Sequence, residues 1–175
     1  MPDIPIKAHV SELIQTQHAT RHYSQQAVTE EDLRLILNAG RRAQSSNNNQ
    51  PWYFLVVRDR EQLHRLAEGG KYAEHVKSAA FAIALATSHT GGADDFDLGQ
   101  AAAYLQLAAW DLGIGSCVTW MHHTERTREV LALPPDLSVQ VVLSFGYPAP
   151  QEATRPRKRG GRKPLEEVVR WERWS

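Results

Sequence analysis

Apolar and polar positions follow two rhythms along this chain. At helical spacing, Leu33, Ile36, Leu37 and Ala39 recur after Thr29, predicting a helix that ends near Gly40 or Ala43. Thr29, with Asp32 three residues on, reads as a variant capping box. Ser11 to Gln17 reads as a shorter helix carrying Leu13 and Ile14, and Arg60 to Glu68 as a surface helix. Gly69-Gly70 breaks that helix, and a short one follows at Ala73 to Lys77. Thr124 to Leu133 is helical and stopped by Pro134-Pro135. The β-rich runs are Trp52 to Val57, Ala79 to Ala86, Ser116 to Trp120 and Val139 to Phe145, the last ended by Gly146-Tyr147-Pro148. Ala79 to Ala86 is almost continuously apolar, as expected of a strand covered on both faces, although its alanines alone also permit a helix. Ser45 to Pro51 is a polar loop, and Pro51 disfavours a helical Gln50.

Asp97 to Leu112 breaks the amphipathic pattern, because it is apolar on nearly every side. Such a helix is buried all round, in a large core or between two subunits. A monomer of 175 residues has difficulty hiding it, so it is the first sign of a dimer. Gly113 ends it as a cap. The order is α, α, β, α, β, α, β, α, β and then an extended tail. That alternation admits a doubly wound parallel sheet, which the long apolar helix and the tail fit less well. With no internal repeat and no linker, residues 1–175 read as one domain with residues 149–175 as its tail.

Composition changes this picture little. The apolar share of 42% and charged share of 23% are ordinary for a globular protein. Lys plus Arg and Asp plus Glu balance at 20 each, which gives no hint of a polyanionic partner. The charge is nonetheless uneven. From Ala149 onward eight basic residues (Arg155, Arg157, Lys158, Arg159, Arg162, Lys163, Arg170, Arg173) face four acids, leaving the tail four charges positive. No aromatic stacking platform accompanies the basic run at 155–163, so nucleic-acid binding is not expected. The single cysteine, Cys117, excludes an intrachain disulfide and a Cys-based zinc site. The eight histidines include His122-His123 but no helical His-Glu-x-x-His spacing, so no metal is expected. Met1 to Val10 has no signal-peptide pattern and no apolar run reaches a membrane span, giving the expectation of a cytoplasmic protein. Gly113-Ile114-Gly115 follows a helix and precedes a strand, the reverse of a dinucleotide fingerprint.

Four segments together resemble the nitroreductase family of FMN enzymes. His18-Ala19-Thr20-Arg21-His22-Tyr23 looks like the family's basic-Ser-x-basic-x-aromatic start. Ala43 to Trp52 (AQSSNNNQPW) is similar to its A-P-S-S-x-N-x-Q-P-W loop and is the most specific match. Asp97 to Cys117 resembles the central helix followed by G-[LI]-G-S. Phe145-Gly146-Tyr147-Pro148 and Arg162-Lys163-Pro164-Leu165-Glu166-Glu167 resemble its endings. The likeness spans nearly the whole chain. It implies an α+β fold: a mixed, largely antiparallel sheet flanked by helices. It also implies an intertwined homodimer whose C-terminal tail crosses to the partner, with FMN in a groove between subunits. This replaces the doubly wound alternative.

The resemblance assigns residues as well. Arg21, with Arg162 and Lys163 or Lys158, matches the cations that hold the flavin phosphate. Gln17 and Ala19 stand where the family usually has Arg and Ser, which leaves His18 and the tail arginines as substitutes. Ser45, Ser46 and Asn48 are expected at the flavin's polar edges, contributed across the dimer, and Gln50 orders their loop. Lys71 falls where the family uses a donor to the pyrimidine edge. Cys117, Val118, Thr119 and Trp120 are expected along the isoalloxazine, with a backbone N–H near Trp120 aimed at N5; Cys117 itself reads as a small buried hydrophobe. His122 and His123 fall at the pocket mouth. No protein side chain is expected to be catalytic, because the flavin carries the chemistry. The implied reaction is ping-pong: NAD(P)H reduces the flavin, then a small-molecule electron acceptor such as a nitro compound, quinone or flavin takes its place. The alternatives are a redox sensor or flavin carrier, and non-reductive relatives that fragment flavin, remove halogens or oxidise peptide azolines.

Overall fold

The computed structural model describes residues 6–88, 92–154 and 161–174. The elements are α1 (Ile6–Thr16), α2 (Glu30–Gly40), β1 (Tyr53–Val57), α3 (Arg60–Ala67), β2 (Phe81–Thr87), α4 (Ala93–Asp111), β3 (Gly115–Trp120), α5 (Thr124–Leu131), β4 (Ser138–Gly146), α6 (Pro150–Thr154) and α7 (Leu165–Val168). Single 3-10 turns lie at Ser46–Asn48 and Glu74–Val76. The second of these occupies the place where a short helix was expected.

The strands form one sheet in the order β1-β2-β4-β3, and every neighbouring pair is antiparallel. This is the antiparallel α+β arrangement, not the doubly wound one. The central strand β2 explains its own composition. Ala82, Ala84 and Ala86 lie in the core under α3 and α5, while Phe81, Ile83 and Leu85 lie in the opposite core with α2 and α4. Alternation therefore sends small side chains to one face and large ones to the other, and both faces are covered although the sheet is antiparallel. Phe81 and Phe145 stack across β2 and β4 with ring centroids 4.8 Å apart.

Local signals set most helix ends. The Asp32 backbone N–H donates to Thr29 Oγ1 at 3.0 Å, and that hydroxyl donates to the Asp32 carboxylate at 2.7 Å. The carboxylate thus serves the capping hydroxyl itself instead of reaching back to the Thr29 main chain. Helix α5 stops before the two prolines: Ala132 adopts φ 48°, and Leu133 N–H reaches Arg128 O, the bonding of a Schellman end. Helix α4 starts four residues before the expected Asp97 and is followed by Gly113 at φ 73°. It is not buried all round within one chain. Asp97, Ala101, Leu105 and Ala109 face the core, while Phe96 is 70% exposed and Tyr104 is also uncovered. No helix among the described residues is long and apolar enough to cross a membrane.

Candidate functional site

Strand β3 is a sheet edge, and its hydrogen-bond parity decides what it offers. Met121 N–H donates inward to Gln140 O, whereas Ser116 O accepts from Thr20 N–H on the outer side. Along a strand these directions alternate, so the main-chain groups of Ser116, Val118 and Trp120 point to the open edge. Those of Cys117 and Thr119 pair toward β4. The side chains sort likewise: Val118 and Trp120 are 50% and 53% exposed, while Cys117 and Thr119 are buried. Of the four residues expected along a flavin ring, Val118 and Trp120 face outward and Cys117 and Thr119 face the core.

Residues 18–23 run beside the start of this edge. Ala19 forms a parallel bridge with Ser116. Thr20 is fully buried, and its N–H donates to Ser116 O at 2.8 Å. Gly115 makes this approach possible, since a Cβ there would come within 2.7 Å of three Thr20 side-chain atoms. The N–H groups of Arg21 and His22 both donate to Glu152 Oε1 at 2.8 Å, and His22 Nδ1 lies 2.7 Å from the same oxygen. Arg21 itself is exposed, so its main chain is held while its side chain stays open to solvent. His18 turns differently: its Nδ1 meets Thr16 O at 2.9 Å and its ring lies edge-on to Trp110.

Lys71 joins the other end of the edge. The loop after α3 approaches β3 closely, with His123 N–H donating to Gly69 O and Lys71 N–H to His122 Nδ1. Tyr72, 80% exposed, stands edge-on to His122. One chain therefore lines up Arg21, Val118, Trp120 and Lys71 along one strand edge.

The polar loop is elsewhere. Ser46 N–H donates to Asp97 Oδ2 at 2.8 Å, and Gln100 Nε2 to Gln44 O, so the loop sits on the first turns of α4. Trp110, which touches His18, lies 13 residues further along. At 1.5 Å per residue that separation is about 20 Å. Asn47, Asn48 and Gln50 all have φ near 50°. The loop is tied by Gln50 N–H to Ser45 Oγ at 3.0 Å and by Gln50 Nε2 to Asn48 O at 3.3 Å. Ser45, Ser46 and Asn48 are thus not gathered with Arg21 in one chain. Arg162 and Lys163 are exposed on the tail. Arg155, Arg157, Lys158 and Arg159 lie outside the described residues.

Sequence reasoning missed two groups here. One is Asp97, only 3% exposed, which reads as a helix start but anchors the loop. The other is a buried polar chain behind β3. Tyr23 OH donates to Thr20 O at 2.7 Å, Ser144 Oγ lies 2.7 Å from Tyr23 OH, and His75 Nδ1 lies 2.7 Å from Ser144 Oγ. Burial, followed by the nearby Arg21 charge, lowers the His75 pKa to about 4. Burial raises that of the Tyr23 phenol far above its usual value. Both groups are therefore neutral over the ordinary pH range. Among the described residues no three His, Cys, Asp or Glu side chains gather as a metal site.

The chain is similar to known proteins over most of its length. The nitroreductase family model matches residues 14–87 and 68–147. A relative from Archaeoglobus fulgidus, provisionally named NADH dehydrogenase/NAD(P)H nitroreductase, is 34% identical over 145 residues, covering 78% of this chain and 83% of its own. A Bacteroides thetaiotaomicron protein provisionally given the same name superposes with TM-score 0.83 at 28% identity, covering 95% of this chain and 98% of that one. A provisionally named nitroreductase from Desulfovibrio desulfuricans, solved in complex with FMN, superposes with TM-score 0.80 at 30% identity, covering 95% and 98%.

Proposed function

The chain belongs to the nitroreductase family of FMN-dependent, NAD(P)H-linked oxidoreductases, and from that premise we propose that it binds FMN along β3 and uses NAD(P)H to reduce small acceptors such as nitro compounds, quinones or flavins. The observation that carries this reading is the open β3 edge, with an exposed cationic residue held by its main chain beside each end. FMN is a flat ring with an anionic tail. Outward N–H groups at Val118 and Trp120 suit the ring's polar edge, and their exposed side chains offer it an apolar surface. Arg21 suits the phosphate, and Lys71 suits the ring's carbonyl end.

When bound, FMN supplies the two-electron transfer between NAD(P)H and the acceptor. The chain's part is to hold and orient. Arg21 places a charge at one end, Lys71 places another by the ring, and Trp120 shields the edge from water. Ser45, Ser46 and Asn48 sit at the start of α4, about 20 Å along that helix from the Trp110 end that touches His18, so a site that includes them takes them from a second copy of the chain. The uncovered apolar face of α4, with Phe96 and Tyr104, supports such a homodimer. We also propose a cytoplasmic location.

The test is an absorbance spectrum of the purified protein after incubation with FMN, followed by anaerobic NADH or NADPH. The expected result is protein-bound flavin bands that bleach and return when a quinone is added. Bands that form but resist both nicotinamides would favour a carrier or sensor. No uptake of FMN would end the reading.

A further inference from the structure

The buried chain behind β3 has only one consistent direction. Tyr23 has a single hydroxyl proton, and the 2.7 Å bond to Thr20 O uses it. The phenol oxygen must then accept from Ser144 Oγ–H, which uses the serine proton. Ser144 Oγ must in turn accept from His75 Nδ1–H. The competing contacts, Ser144 Oγ to Cys117 O at 3.3 Å and Tyr23 OH to Ser144 O at 3.2 Å, are longer. The run His75 to Ser144 to Tyr23 to Thr20 O gives each oxygen one donor and spends each proton once.

Its end point is the residue before Arg21. Thr20 is now fixed on three sides: its N–H by Ser116, its carbonyl by Tyr23, and its side chain by the bare Cα of Gly115. The Tyr23 ring needs room for this, and a Cβ at Gly146 would lie 2.9 Å from it. Nothing in the relay faces the open edge, so it touches no ligand. Its effect is on where the next Cα sits.

Building on the functional reading above, we propose that His75, Ser144 and Tyr23 are positioning residues, a one-way hydrogen-bond relay that sets Arg21 for the flavin phosphate. A relay that merely stabilised the fold would affect every flavin alike. A relay that sets Arg21 affects only flavins bearing a phosphate.

The experiment titrates FMN and riboflavin, which lacks the phosphate, into wild type, Arg21→Ala, Tyr23→Phe, Ser144→Ala and the Arg21→Ala/Tyr23→Phe double variant, following flavin fluorescence. Tyr23→Phe and Ser144→Ala are expected to weaken FMN about fivefold to tenfold while riboflavin affinity stays within about twofold. The double variant is expected to bind FMN no worse than Arg21→Ala alone. Ser144→Ala decides the matter if Tyr23→Phe does not fold. Folded variants that bind FMN like wild type, or lose both flavins equally, would overturn the relay's role and leave the enzyme reading standing. A wild type that binds neither flavin would overturn both.

Discussion

Two short irregular segments carry the family's most recognisable motifs, and the protein holds them in opposite ways. Residues 18–23 are held from inside. Thr20 is buried, its carbonyl is fed by a neutral relay, and its N–H is paired to β3. The loop at 45–50 is held from one end. Its residues are mostly exposed, three of them sit at positive φ without being glycine, and a buried carboxylate takes one N–H. The first is a rigid base under a free cation. The second stores backbone strain that a few bonds keep in place. Segments that look equally loop-like in sequence thus differ in what their shape costs.

The largest effect should come from the rigid base. Gly115→Val drives a branched side chain into Thr20 and is expected to cost about 3 kcal/mol, read as a lower urea midpoint; a near-normal midpoint would mean that segment 18–23 yields easily and the contrast is wrong. Next comes pH. The folded pKa of His75, about 4, lies below its usual 6.5, so the unfolded chain binds the extra proton first. Stability from this group is full above pH 6.5 and is lost as pH falls toward 4, by about 2–3 kcal/mol. Urea midpoints at pH 7.5, 5.5 and 4.5 should fall less steeply in His75→Gln, and parallel slopes would refute the assignment. On the strained side, Asp97→Ala leaves the Ser46 N–H without its carboxylate and should cost about 1–2 kcal/mol, with faster proteolysis at 45–50 than elsewhere. The smallest effect is Asn47→Ala, about 1 kcal/mol, since Asn tolerates left-handed backbone better than Ala. A more stable Asn47→Ala protein would show that the loop is not strained there.

What the sequence conveyed divides along the same line. Thr29 and Asp32 marked the start of α2 because a cap is local chemistry. The unbroken apolar run of β2 showed that both faces are covered. It did not show strand direction, because burial of both faces looks the same in parallel and antiparallel sheets; the resemblance supplied that. The start of α4 was placed late because Asp94 and Asp95 hide the helical pattern in its first turn, where acids are favourable. The strand at β3 was legible but its alternation was not: Cys117, Val118, Thr119 and Trp120 were expected together along the ring, and the structure turns Cys117 and Thr119 to the core instead. His75 was not found. Its partner Ser144 is 69 residues away, and a lone histidine near a short apolar stretch carries no signal of its own. Asp97 was visible only as a helix residue, since its bond to Ser46 spans 51 positions.

The open edge of β3 has a cost of its own. A row of outward main-chain groups beside exposed Val118 and Trp120 is a template on which another extended chain can grow. The Ala19 bridge covers its first residues and Gly70 packs against the Trp120 carbonyl at its far end, which leaves the stretch around Val118 open. Under the proposed function, a chain still without flavin is at its most adhesive along the strand that FMN would cover. On the proposed function, filling that strand would bear on solubility as well as on catalysis.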